Sequence, residues 1–173
     1  TVEGMLHAPE LPAILEGGSR LFMISNEHPE ILERCMPNPA LRSTIDLGMK
    51  MLSEAGTMRV ASDAGTDLTI DVTDAPGRGG AGYLDEGDKV GYWPAGLCLC
   101  FPKAKTTNGT IVLDRGDVNL TFKRYLETPI TLTFDDDFVV HIGGDGLDAE
   151  LMREYYAAFD QNAYAVSHVG WGM

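Results

Sequence analysis

Apolar residues at positions 41, 45, 49 and 52 recur at helical spacing, and they predict a helix from Leu41 to Ala55. Upstream, Arg20 to Ser25 (RLFMIS) is a short apolar run that fits a buried strand. Residues 5–16 predict a loop leading into a short helix. Pro9 suits its first turn, where a missing N–H costs nothing, and Gly17-Gly18 stops it. Asn26 is placed to cap a further helix, with Pro29 in its first turn and Glu27, Glu30 and Glu33 favouring its positive end. Pro37-Asn38-Pro39 then breaks the chain. Helix, strand, helix, helix in this order reads as the end of an α/β domain.

After Gly56 the period shortens to two. Met58 to Thr73 alternates and predicts two strands joined through Ala64-Gly65. Asp74 to Gly82 is rich in Gly and predicts a loop. Lys89–Trp93 and Leu97–Phe101 are strand candidates that bracket Pro94-Ala95-Gly96. Further strands are expected at 109–114, 130–134 and 138–142, with a last one at 163–169. Asp148 is placed to cap a helix running to Phe159. The expected fold class is α+β. Residues 1–55 form the C-terminal part of an α/β domain, and residues 56–173 form a mostly β domain.

Charge narrows the partners. The 173 residues carry 26 acidic and 13 basic side chains, a formal net charge of −13. Such a chain repels phosphate backbones, so no nucleic-acid partner is expected, and it is poorly suited to an anionic membrane surface. No apolar run approaches the roughly 18 residues of a membrane-spanning helix, and Thr1-Val2-Glu3-Gly4 does not resemble a signal peptide. Three cysteines are too few for a disulfide framework, which predicts reduced thiols and a cytoplasmic location.

Candidate chemistry is sparse. His168 lies in the apolar, Gly-flanked segment Ser167-His168-Val169-Gly170-Trp171-Gly172-Met173, where a neutral imidazole can be offered to a metal. A lone histidine near a strand end is more often structural. An aromatic, glycine-rich segment is also an odd place for a domain to finish, so the chain is expected to be a fragment of a longer protein. His7, in a loop before a helix, is a candidate for substrate contact or proton transfer, against a plain surface role. Cys98 and Cys100 share one face of a strand and read as core. Asp135-Asp136-Asp137 suits a tight turn better than a hard cation. His141 reads as an exposed or edge residue and His28 as solvated. Gly143-Gly144-Asp145-Gly146 lacks the spacing of a phosphate loop. Trp93 and Trp171 read equally as pocket walls and as core.

Four stretches together resemble the 2,5-dihydroxypyridine 5,6-dioxygenases: Ile24–Glu30 (ISNEHPE), Ala64–Thr69 (AGTDLT), Trp93–Pro102 (WPAGLCLCFP) and Ser167–Met173 (SHVGWGM). These are ring-opening enzymes of nicotinate catabolism, built on the scaffold of the thermophilic metallo-aminopeptidases. The resemblance covers nearly the whole chain and implies an incomplete catalytic domain over residues 56–173. It also implies a single Fe(II), a small aromatic substrate and O2. The peptidases carry a metal-binding glutamate where this chain has Leu97, and a second one where it has His168. Losing one carboxylate and exchanging another for imidazole suits one iron rather than two adjacent metals. By the resemblance, His168 is one of three ligands, and the other two, a His-x-Asp pair, lie beyond this chain. Assembly as a homo-oligomer is also expected. The rival readings are a metallo-aminopeptidase and a non-catalytic binding protein on the same scaffold.

Overall fold

The computed structural model describes residues 8–24, 29–119 and 121–172, with only the backbone of Ile31. The chain opens with α1 (Leu11–Glu16), β1 (Leu21–Ile24), α2 (Pro29–Arg34) and α3 (Ala40–Glu54). Strands follow at β2 (Thr57–Ala61), β3 (Asp67–Asp71), β4 (Arg78–Gly80), β5 (Val90–Trp93), β6 (Leu97–Cys100) and β7 (Asn108–Leu113). The rest comprises β8 (Val118–Asn119), β9 (Arg124–Tyr125), β10 (Ile130–Asp135), β11 (Phe138–Gly143), α4 (Leu147–Ala157), a 3-10 turn (Gln161–Tyr164) and β12 (Val169–Gly172). This is the expected α+β class.

The described chain divides into two compact units that interleave in sequence. The first holds residues 1–52, 76–100 and 170–173, and the second holds 53–75 and 101–169.

In the first unit, α3 buries Ile45 and Leu52 as its spacing predicts, with Gly48 beside them, while Leu41 and Met49 of the expected stripe are only partly buried. Burying a side chain such as Ile45 contributes about 2 kcal/mol. β1 runs parallel to β5, with Leu21 opposite Val90 and Ile24 opposite Trp93. Among the described residues β5 is its one partner strand; β1 is half-exposed rather than buried, and Ile24 keeps 54% of its surface. A three-stranded sheet runs in the order β12-β6-β4. The Gly-rich stretch expected as a loop therefore contains a strand. Its glycines serve close packing: a Cβ on Gly79 would lie 2.6 Å from Ile45 Cγ2 and 2.9 Å from the Leu97 carbonyl oxygen. Pro12, rather than Pro9, sits in the first turn of α1. Asn26 and Glu27 lie outside the described residues.

The second unit is built on an antiparallel sheet in the order β11-β10-β7-β3-β2. Pairs such as Val60 with Leu68 and Leu132 with Ile142 set its register. Leu126, Ile130, Ile142, Ala149 and Met152 form a core cluster between the sheet and α4. The strand expected over 163–169 is absent. Asp160 Oδ1 accepts from the Asn162 N–H at 2.9 Å and caps a 3-10 turn there, and a single bridge joins Ala165 to Phe138. Side-chain capping overrides the strand propensity of the apolar run.

Asp148 does not cap α4; Gly146 holds that position without a side-chain bond. The buried Asp148 carboxylate instead accepts from Glu127 N–H at 2.8 Å and Thr128 N–H at 3.1 Å, and Arg124 lies 3.2 Å away. The Glu127 N–H is the first cause that holds this carboxyl below its ordinary pKa, opposed by desolvation and helped by Thr128 and Arg124. A depressed folded pKa gives stability that is complete above the unfolded carboxylate range and is lost as pH falls through the folded value. Asp148→Asn keeps an acceptor but loses the charge. The wild type should therefore lose more of its thermal midpoint between about pH 7 and about pH 2 than Asp148→Asn does. Equal losses in the two proteins would show that the charge contributes nothing.

Candidate metal centre

The last residues of the second unit carry His168. After the 3-10 turn, Val166 N–H donates to the Asp137 carbonyl at 2.8 Å and ties the segment to the β10–β11 turn. Ser167 and His168 follow, both exposed. The His168 ring meets Phe101 edge to face, with centroids 6.1 Å apart and planes at 66°. Nδ1 lies 3.3 Å from Ser167 Oγ. When the imidazole donates through Nδ1, its Nε2 lone pair is the one available to a metal. Phe101 is 51% exposed, so the pair forms a small aromatic surface rather than a buried core.

The Asp135–Asp137 run makes the expected turn, with Asp136 and Asp137 both at positive φ, 46° and 74°. Burial pushes the Asp137 carboxyl up, but the N–H groups of Thr107, Lys105 and Thr106 outweigh this and hold it below its ordinary pKa. It is a charged acceptor at neutral pH.

The other candidates separate from this site. His7 and His28 lie outside the described residues. His141 is exposed on the edge strand β11, as expected. It lines a groove of about 360 Å³ with Arg153, whose Nη1 is committed to the Ile142 and Gly144 carbonyls at 3.0 and 3.1 Å.

In the first unit, Cys98 and Cys100 are fully buried on one face of β6, and burial pushes both thiols up. They behave as core, not as thiolates. Leu97, at the start of β6, pairs with Gly80, and its side chain brings no oxygen donor. Trp93 Nε1 donates to the Cys35 carbonyl at 2.6 Å. A cleft of about 280 Å³ is lined in part by Arg42 and Asp88. Arg42 is spent there on Asp46, Asp85 and Asp88, at 3.1, 3.0 and 3.3 Å.

Among the described residues, no three His, Cys, Asp or Glu side chains gather closely enough to hold a metal ion. No described helix is long and apolar enough to cross a membrane. Sequence reasoning passes over Phe101, Ser167 and Asp137 as parts of this site. Ser167, as the neighbour of His168, carried a weak signal; the other two are brought near it by tertiary pairing alone.

Comparison with known proteins places these features. The family model of 2,5-dihydroxypyridine 5,6-dioxygenase (NicX) matches residues 1–173. A 2,5-dihydroxypyridine 5,6-dioxygenase of Pseudomonas putida KT2440 is 35% identical over 170 residues, 98% of this chain and 48% of that protein. The solved structure of the 2,5-dihydroxypyridine dioxygenase from Pseudomonas putida KT2440 superposes with a TM-score of 0.88 at 35% identity. It covers 96% of this chain and 48% of the solved one. AmpT from Thermus thermophilus shares the fold at a TM-score of 0.53 and 16% identity, over 80% of this chain and 35% of its own. That likeness supports the expected aminopeptidase-like scaffold at the level of fold. The chain spans about half the length of the curated relative it matches. On these matches the chain belongs to the 2,5-dihydroxypyridine 5,6-dioxygenase family.

Proposed function

We propose that this chain is part of a non-haem Fe(II) dioxygenase that opens the ring of 2,5-dihydroxypyridine in nicotinate breakdown. The observation that carries the reading is the 35% identity to a 2,5-dihydroxypyridine 5,6-dioxygenase over 98% of the chain. The residues present fit one iron ligand. His168 is exposed, and its Nδ1 is within reach of a hydroxyl that can orient the ring. Imidazole is a suitable donor for Fe(II). The remaining ligands come from the part of the longer protein that this chain does not span. Fe(II), when bound, supplies open coordination positions for O2 and the ring oxygens.

In this proposal His168 holds one coordination position, and Phe101 shields that imidazole from water on one side. His7 contacts substrate or moves a proton. Leu97, without a carboxylate, disfavours a second metal. The longer protein works in the cytoplasm as a homo-oligomer, on a small aromatic substrate and O2, without nucleic acid or membrane.

The ligand-set argument predicts about one metal per subunit in the full-length protein. Loaded with Fe(II), it should consume oxygen with 2,5-dihydroxypyridine. Loaded with Zn(II) or Co(II), it should release no amino acids from peptide amides. Both assays are run on one preparation, with metal content measured. Peptide hydrolysis without oxygen uptake would turn the reading towards an aminopeptidase. Bound metal with neither activity would turn it towards a binding protein.

A further inference from the structure

The β10–β11 turn does more than reverse the chain. A tight turn with two residues at positive φ is well served by Asp or Asn, which tolerate that conformation. It does not require the second carboxylate to point back into the protein, yet that of Asp137 does. It accepts from the N–H groups of Lys105, Thr106 and Thr107, the latter two at 3.0 and 2.7 Å. The Asp137 N–H donates to the Thr107 carbonyl at 3.1 Å, and its carbonyl accepts from Val166 at 2.8 Å. One residue thus makes five hydrogen bonds to two stretches, which also converge where β6, just before Phe101, pairs with β12, just after His168.

One stretch leads back to Phe101. It is braced by Lys103 N–H on the Asp71 carbonyl at 3.0 Å, and by the Thr106 hydroxyl on the Lys103 carbonyl at 2.6 Å. The other leads on to His168, two residues past Val166. Phe101 and His168 then meet edge to face.

We infer that Asp137 is a positioning residue for His168: its carboxylate anchors the Phe101 arm, its carbonyl anchors the His168 arm, and together they set where the imidazole stands. This rests on the reading of His168 as a metal ligand. Asp137 touches neither the imidazole nor a metal; it acts through the backbone. An exposed imidazole on a loop gains a defined direction only from its supports, and loss of support around a ligand typically weakens metal binding.

The test uses full-length protein, and Fe(II) affinity is measured by anaerobic titration. Asp137→Ala should weaken Fe(II) binding about tenfold, by analogy with losses in the outer shell of metal sites. Asp137→Asn should lose clearly less than Asp137→Ala. Its Oδ1 can still accept from Thr106 and Thr107 and Asn tolerates positive φ, so only the Lys105 bond, where Nδ2 replaces the accepting Oδ2, is lost. Asp148→Ala is the structural control. Its carboxylate serves residues 127 and 128, on neither arm, so it should lower the unfolding midpoint without changing Fe(II) affinity. Should Asp137→Ala fail to fold, Asp137→Gly keeps the backbone conformation without the carboxylate and should show the same loss.

Wild-type affinity in Asp137→Ala or Asp137→Gly overturns the inference. So does an equal loss in Asp148→Ala, which would mark a general effect of stability. His168→Ala, run alongside, separates the two claims. If it binds Fe(II) as tightly as wild type, the ligand reading itself fails and the inference falls with it. If it loses Fe(II) while Asp137→Ala does not, the positioning role alone is wrong.

Discussion

Replacing His168 with alanine in the full-length protein should lower ring opening by at least about 100-fold while leaving the fold intact. The size follows from the role: even supports behind a ligand change metal affinity or activity by about 10- to 100-fold, and the ligand itself contributes more. The intact fold follows from exposure. His168 is exposed, and its described partners are Ser167 Oγ and the Phe101 ring. Losing an edge-to-face contact costs roughly 1 kcal/mol, small beside a total stability of about 5–15 kcal/mol. Oxygen uptake with 2,5-dihydroxypyridine and thermal unfolding are measured on the same sample. Normal uptake would make His168 a structural residue only. Lost uptake with a collapsed midpoint would show that the imidazole supports the fold.

Gly109→Ala should have the opposite signature, a large loss of stability. Gly109 lies in β7, between β3 and β10, opposite Leu68 and Phe134. Its φ is +122°, a conformation that L side chains rarely adopt. An added Cβ would also run into the Asp67 carbonyl and lie 3.1 Å from Leu68 Cα. Both obstacles are backbone, so no side chain can rotate away. Strain at such a φ costs about 1–3 kcal/mol, and forced overpacking costs a similar amount. The expected loss is therefore about 4 kcal/mol, read as a fall in the denaturation midpoint in urea. A change below about 1 kcal/mol would mean that β7 can shift away from β3 at little cost.

These two positions differ in how far the sequence announces them. His168 is visible as a histidine among glycines, and the resemblance at Ser167–Met173 implies a ligand role for it. Gly109 reads as an ordinary strand start, because nothing local records that a neighbouring carbonyl occupies the place of its side chain. Helix α3 is legible because its packing repeats every turn. The β2–β3 and β10–β11 hairpins are legible because each alternates over adjacent residues. What escapes is long-range. Gly79 and Gly80 look like loop and form β4, since their value is space for Ile45 and Tyr92 to approach. Asp148 looks like a cap and serves residues 127 and 128 instead. Asp137 looks like a turn residue, and its three backbone partners lie some thirty positions earlier. Side chains that act on distant backbone leave no periodic trace.

The interleaving of the two units bears on how the protein is made. The three-stranded sheet needs β4 and β6, and then β12, whose residues emerge from the ribosome some seventy positions after β6. The second unit is completed almost entirely within that interval. A growing chain can therefore pair β2 with β3 and β10 with β11 early, from near neighbours, while β6 waits with one flank unpaired. Such a flank invites pairing with other chains. Slow translation between residues 100 and 170 would lengthen that exposure, and low expression temperature or a chaperone that shields nascent strands would shorten its consequences.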